Sequence, residues 1–147
     1  MIFQKRLAAV CAICLLCTGS SLALFAQGGE TYKARLSAVP ADARTRPQLA
    51  GIGAATATLS GSKLTVNATF EGLLSPATTA QLHTGVAAGV RGPVVSDLTI
   101  SKATSGTITG SADLTPQQVE YLHKGGLYIQ IQSEKAPEGV LWGWLLK

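Results

Sequence analysis

The sequence predicts an all-β fold: an antiparallel β-sandwich of the Greek-key or immunoglobulin-like kind, or a related barrel, with one short helix near residues 115–124. Three observations support this class. The composition is rich in Thr, Ser, Gly, Ala and Val, and only 14% of residues are charged, as is typical of antiparallel sheets. Residues 63–71 alternate strictly between polar and apolar side chains. A chain of 147 residues is long enough for one domain with its own core.

The N-terminus has the three zones of a secretory signal peptide. Lys5 and Arg6 form a short basic head, residues 7–16 form an uncharged apolar run, and small residues follow at Ala23 and Ala26. The apolar run is shorter than the roughly 20 residues that a membrane-spanning helix needs. We therefore expect a signal peptide that is cleaved after Ala23 or Ala26, and a protein that is secreted or periplasmic.

Cleavage divides the chain into a signal peptide at 1–26 and one domain at 27–147 that has no transmembrane helix. The three cysteines, Cys11, Cys14 and Cys17, all lie in the signal peptide. The mature domain is therefore expected to have no disulfide, thiol nucleophile or thiolate ligand. An acylated Cys17 is the alternative, but a leucine precedes it where a lipoprotein signal has a small residue.

The charge of the mature domain is small. The chain has 12 Lys and Arg against 8 Asp and Glu; loss of the two signal-peptide bases leaves 10 against 8, a net charge of about +2. Basic residues are scattered, apart from Lys33, Arg35, Arg44 and Arg46. Binding to a nucleic-acid backbone needs a denser basic stripe, so we expect no nucleic-acid partner.

The first half of the domain predicts three strands. Tyr32 to Val39 forms the first and ends before a proline. Residues 54–60 and 63–71 form the next two, and the Ser-Gly-Ser link between them is a turn signal. These two strands are expected to pair as a hairpin.

The second half predicts a glycine-rich loop, a helix and further strands, which are expected at residues 80–83, 94–100, 107–112, 127–133 and 139–146. The helix has Thr115 as its N-cap, Pro116 at its first position and Gln118 to complete a capping box. Gly125 supplies a left-handed C-terminal cap. The last two strands are predicted to form a hairpin whose turn spans residues 134–138.

Taken in order, several segments resemble the CHRD domain, the module named after chordin. They are the strand and loop Ala34-Arg35-Leu36-Ser37-Ala38-Val39-Pro40, the turn Phe70-Glu71-Gly72-Leu73-Leu74-Ser75, the stretch Ala80-Gln81-Leu82-His83-Thr84-Gly85 with Gly92-Pro93-Val94-Val95, and the closing hairpin with Pro137-Glu138-Gly139. The resemblance covers nearly the whole mature chain. It implies an extracytoplasmic all-β domain and implies little about activity.

The chain departs from the family pattern at positions where that pattern has histidine, arginine or glutamine. The pattern has three histidines in the corresponding segments, and only His83 is present; Gln81 and Gln132 stand at the other two positions. Trp142 replaces an arginine of the last strand, and Trp144 replaces a glutamine. Glutamine is no general base and is a poor ligand for transition metals, so a function that rests on the histidines is in doubt here.

His83 is the one candidate metal ligand, assisted by Gln132 and a nearby carboxylate. A transition metal normally takes three or four protein ligands, so a structural polar contact is the favoured interpretation of this histidine. His123 lies in the last helical turn, where interaction with the helix dipole explains it.

A possible contact surface lies on the last hairpin. Alternation places Trp142 and Trp144 on one side of their strand, and the predicted register sets them opposite Gln130 and Tyr128. Aromatic pairs across strands stabilise a sheet by about 0.2–1 kcal/mol, which is a sufficient structural explanation. The alternatives are a protein interface or a sugar-stacking surface.

Together these observations predict an exported, non-catalytic binding or structural module at the cell surface, in the periplasm or outside the cell. Its partner would be a protein or a glycan. We expect no organic cofactor and no catalytic residue, because no nucleophile–base pair is evident. The alternative is a metal-binding protein that uses His83 with neighbouring oxygen ligands.

Overall fold

A computed structural model describes residues 28–147, so the predicted signal peptide lies outside the described residues. This part of the chain forms eight strands, one α-helix and a single 3₁₀ turn at Arg46–Gln48. In chain order they are β1 (Glu30–Ala38), β2 (Ile52–Ser60), β3 (Lys63–Glu71), β4 (Ala77–Thr84), β5 (Val94–Ile100), β6 (Gly106–Asp113), α1 (Pro116–His123), β7 (Leu127–Ser133) and β8 (Ala136–Trp144).

The strands close into an antiparallel barrel in the order β1-β2-β3-β6-β5-β4-β7-β8. The predicted all-β class is confirmed, and the architecture is the barrel rather than the sandwich. Closure depends on two short ladders, since β5 meets β6 at Thr99 and Ile100 and β1 meets β8 at Ser37 and Ala38. Longer ladders join β1 to β2, β2 to β3, β3 to β6 and β4 to β7. Because the barrel is closed, no sheet edge is left open.

The hairpin of β2 and β3 is the most regular part of the barrel. Nine residue pairs join the strands, from Ile52 with Glu71 to Ser60 with Lys63. The two-residue turn has Gly61 at φ 62°, a left-handed conformation that glycine adopts without a steric penalty. The predicted hairpin and turn are confirmed.

Aliphatic side chains fill the barrel interior. The alternating pattern of β3 buries Leu64, Val66 and Ala68 on one face and leaves the intervening polar residues exposed. Large side chains from other strands complete the core, and Tyr32 and Phe70 are its buried aromatic residues. Burial of this apolar surface is the main source of the barrel's stability.

Helix α1 begins and ends at the predicted signals. The Thr115 hydroxyl accepts a hydrogen bond from the Gln118 amide at 3.2 Å, and the Gln118 side chain accepts one from the Thr115 amide at 2.9 Å. Gly125 follows the helix at φ 74°, and Leu122 anchors it in the core. Neither this helix nor any other in residues 28–147 is long and apolar enough to cross a membrane.

The last hairpin has the predicted register but a different turn. Ser133 pairs with Ala136, so the turn consists of Glu134 and Lys135 and not of residues 134–138. A register shift after Ile131 places the extra residues within β8, as a bulge does. Tyr128 therefore still pairs with Trp144, and Gln130 with Trp142.

Candidate functional site

The outer face of β4, β7 and β8 gathers the candidate residues. Cross-strand pairs set His83 beside Tyr128 and Gln81 beside Gln130. The next ladder sets Tyr128 beside Trp144. On β4, Leu82 points into the barrel and is fully buried, so its neighbours on the strand point outward. The three strands thus bring the family-motif positions to one side of the sheet.

Four rings from these strands pack against one another, and we call them the outer aromatic cluster: His83, Tyr128, Trp142 and Trp144. The His83 and Tyr128 rings stack with their centroids 4.9 Å apart and their planes within 14°. The Trp144 centroid lies 4.3 Å from that of Tyr128. Trp142 meets Tyr128 edge-on at 6.1 Å. Offset and edge-on arrangements of this kind are favourable beyond the area they bury.

The outer aromatic cluster holds the loop between β4 and β5. The Tyr128 hydroxyl accepts from the Gly92 amide at 3.2 Å and lies 3.3 Å from the Gly92 carbonyl oxygen. The same carbonyl lies 3.1 Å from His83 Nδ1. At the base of the loop, the Gly85 amide donates to the Gly126 carbonyl at 2.7 Å. The loop is therefore ordered by contacts with the outer face of the sheet.

Burial corrects the predicted contact surface. Tyr128 and Gln130 are only 1% and 6% exposed, so they lie beneath other groups and are not available to a partner. The loop and the tryptophans lie against Tyr128, and Gln130 lies against Glu138 and Gly139 of β8. Strand alternation alone does not reveal these contacts. Trp142 and Trp144 are partly exposed, and their planes are inclined by 60°. They do not form one flat platform.

Arg91 is a functional candidate that the sequence did not single out. Its guanidinium carbon lies 4.8 Å from the centroid of Trp142, which is within the range of a cation–π contact. Arg91 is exposed, and the loop also exposes Val86 and Val90. Periodicity does not predict this contact, because the loop brings the arginine over a strand about 50 residues later in the chain.

Glutamines at two family-motif positions form a polar chain across three strands. Gln132 Nε2 donates to Gln81 Oε1 at 3.3 Å. Gln81 Nε2 in turn donates to an Asp97 carboxylate oxygen at 2.8 Å. Gln130 is separate from this chain and donates to the Glu138 carbonyl at 3.0 Å. The side chains of Gln132, Gln81 and Asp97 thus link β7, β4 and β5 through hydrogen bonds.

His83 has one satisfied and one unsatisfied ring nitrogen. A carbonyl oxygen can only accept, so Nδ1 carries the hydrogen that Gly92 accepts, and the neutral ring has its lone pair on Nε2. Nε2 is buried without a hydrogen-bond partner, and so is Gln132 Oε1. Within residues 28–147, no group of three or more His, Cys, Asp or Glu side chains is placed to hold a metal ion.

His123 takes part in a separate polar cluster around Glu30. The Glu30 carboxylate accepts from the Tyr32 hydroxyl at 2.5 Å, from His123 Nε2 at 2.9 Å and from Lys147 Nζ at 3.1 Å. The Tyr32 hydrogen bond, followed by that from Lys147, lowers the pKa of Glu30 to about 2. Burial, followed by the hydrogen bond to Glu30, raises the pKa of Tyr32. The cluster ties β1 to the end of α1 and to the C-terminus.

The fold and this outer face define a class of protein: a small antiparallel barrel that carries its aromatic and polar candidate residues on the outer face of the sheet. A comparison with protein families identifies it further. The family model described as the CHRD domain matches residues 32–145, and the chain belongs to the CHRD domain family. No curated protein matches the chain, and no solved structure does so.

Proposed function

We propose that this chain is an exported, non-catalytic binding module whose contact surface comprises Trp142, Trp144 and Arg91. The observation that carries the proposal is the outer aromatic cluster. It places two partly exposed tryptophans beside an exposed cation on the outside of a barrel whose core is complete without them. Tryptophan and arginine are the side chains most enriched at binding hot spots.

The contacts of the two histidines support the non-catalytic part of the proposal. His83 contacts a backbone carbonyl, and His123 contacts the exposed Glu30 carboxylate. In the part of the chain that the structure describes, neither is hydrogen-bonded to a serine or threonine hydroxyl that it could activate. The signal-like N-terminus supports export.

Co-sedimentation of the exported protein with the cell-envelope fraction of its own organism tests the proposal. Trp144→Ala removes one ring of the contact surface, and Arg91→Gln removes the cation while the rings remain. We expect each substitution to weaken binding about tenfold or more. Asn67→Ala, on the exposed face of β3, is the matched control and should bind as the wild type does. Equal losses in the control, or no sedimentation of the wild type, would contradict the proposal.

Metal binding through His83 is the second candidate function. The observation that favours it is the buried Nε2 lone pair, which has no hydrogen-bond donor. Calorimetric titration with Cu²⁺ and Zn²⁺, using His83→Ala as the control, tests it directly. Tight binding that the substitution abolishes would make this a metal protein. Equal heats for the two proteins would exclude His83 as a ligand.

A further inference from the structure

The proposed contact surface continues beyond the tryptophans into an apolar patch. Successive residues of an extended chain point to opposite sides, so Leu146 lies on the same outward side as Trp142 and Trp144. Leu146 is 49% exposed. Residues 86–90 of the β4–β5 loop, which we call the apolar tip, have the sequence Val-Ala-Ala-Gly-Val and are all exposed. Three of the six large exposed apolar side chains in residues 28–147 are Val86, Val90 and Leu146.

Leu146 and the apolar tip meet at Gly125. A Cβ placed on this glycine would lie 2.7 Å from Leu146 Cδ2 and 3.6 Å from the Ala88 methyl carbon. Both side chains therefore approach the same point on the surface. The tip and Leu146 are therefore neighbours, and Trp144 lies two residues before Leu146 on the same side of the chain. Grouped exposed apolar residues of this kind are typical of an interaction site.

The loop that carries the tip is tightly packed at its base. A Cβ at Gly85 would lie 1.9 Å from the Val90 carbonyl oxygen, and one at Gly92 would lie 1.7 Å from the Thr84 carbonyl oxygen. The two sides of the loop base thus touch through their backbones, with no room for a side chain. The base holds the tip outward, so the exposure of Val86 and Val90 is built into the fold.

Exposed cations surround the apolar patch. Arg91 follows the tip, and Lys124 precedes Gly125. Lys33 exchanges two backbone hydrogen bonds with Leu146, at 2.7 and 2.9 Å, and the same register sets Arg35 opposite Trp144. None of these four is in an ion pair among the described residues, where the pairs are those of Glu30 with His123 and Lys147.

We propose that this patch binds an anionic lipid surface, with the apolar tip inserted among the headgroups; the inference rests on the proposed contact function. The tip projects outward and is apolar, so it suits insertion into a deformable bilayer better than a preformed concave partner. Partly exposed tryptophans beside it match the preference of indole for the membrane interface. The surrounding cations match anionic headgroups, and each cation near such a surface strengthens binding about fivefold.

Vesicle binding by the exported chain tests the inference. The chain has two tryptophans, Trp142 and Trp144, so its intrinsic fluorescence reports on this surface alone. Phosphatidylcholine vesicles with and without phosphatidylglycerol are titrated at low and high salt. We expect a blue shift and quenching by brominated acyl chains only with the anionic vesicles, and weaker binding at high salt.

Two substitutions separate insertion from a general effect of hydrophobicity. Val86→Asp should bind anionic vesicles at least tenfold more weakly, since it places a charge on the apolar tip. Leu74→Asp is the matched control, because Leu74 is 50% exposed and precedes β4, whereas the tip follows the other end of that strand, and it should bind within about twofold of the wild type. All variants are produced with the same N-terminus, so any contribution of that segment to vesicle binding is equal in each.

The outcomes distinguish this inference from the function on which it rests. Absence of binding to anionic vesicles, or an equal loss in Leu74→Asp, would overturn the lipid inference. If Trp144→Ala still weakened binding to a lipid-free envelope fraction, the contact function would stand with a protein or glycan as partner. If that binding were also insensitive to Trp144→Ala, both proposals would fall.

Discussion

The inside of the barrel and the outer face of β4, β7 and β8 are two packed regions built from different chemistry. The interior is aliphatic, with Tyr32 and Phe70 as its buried aromatic residues. The outer face instead packs His83, Tyr128 and two tryptophans against a loop. Adjacent residues of β7 belong to the two regions: Ile129 points inward and Tyr128 outward, and both are at most 1% exposed. The difference indicates that the interior maintains the fold, whereas the outer cluster shapes the surface.

The largest effect is expected from the interior. Ile129→Ala should lower the free energy of unfolding by about 2–5 kcal/mol, because it leaves a cavity in the aliphatic core. Chemical denaturation measures the change. A loss below about 1 kcal/mol would mean that the interior does not dominate stability, and the distinction between the two regions would weaken.

A smaller effect is expected where the loop meets the outer face. Gly92→Ala places a Cβ against the Thr84 carbonyl oxygen, so the loop must move away from Tyr128 and His83. We expect a destabilisation of about 1–3 kcal/mol and faster hydrogen exchange in residues 85–93, while the barrel strands remain protected. Gly28→Ala, which meets no atom within 4 Å, is the control and should leave both stability and exchange unchanged.

Removal of one hydroxyl separates the effect of the Tyr128 ring from that of its hydrogen bonds. Tyr128→Phe keeps the stacked ring but removes the hydrogen bonds with Gly92, and should cost about 1 kcal/mol. The exchange rate of the Gly92 amide should rise, whereas that of β7 should not. An unchanged exchange rate at Gly92 would show that the ring, and not the hydroxyl, holds the loop.

The smallest effect is expected at Glu30, whose carboxylate lies outside both regions. The pKa of Glu30 falls from 4.5 to about 2 in the folded protein, so ionised Glu30 stabilises the fold above pH 4.5, and this stabilisation disappears as the pH falls toward 2. Glu30→Gln should lower the melting temperature slightly at neutral pH and have no effect at the acidic limit. A difference that persists at the acidic limit would contradict this explanation.

Local signals in the sequence predict much of the secondary structure. The capping residues Thr115 and Gln118 fixed the helix start, and the alternation of residues 63–71 fixed β3. The register of the last hairpin was also predicted, although its turn was not. In each case the relevant residues are close in sequence, so propensity and periodicity suffice.

What the sequence did not predict depends on contacts between distant segments. Closure of the barrel rests on the short ladder of β1 with β8, which has no local signature. Alternation along β7 predicts that Tyr128 lies on the outer face, but it does not predict that the β4–β5 loop covers this residue. The contact of Arg91 with Trp142 has the same origin. Such contacts appear only when the whole chain is folded.

Hydrogen exchange of the protein, free and bound to a cell-envelope fraction, tests the proposed contact function. We expect binding to slow exchange in residues 86–91 and 140–146, at the apolar tip and along the end of β8. Exchange in β2 and β3, on strands that carry none of the contact residues, should not change. Protection confined to β2 and β3, or none at either surface, would contradict the assignment of Trp142, Trp144 and Arg91 as the contact surface.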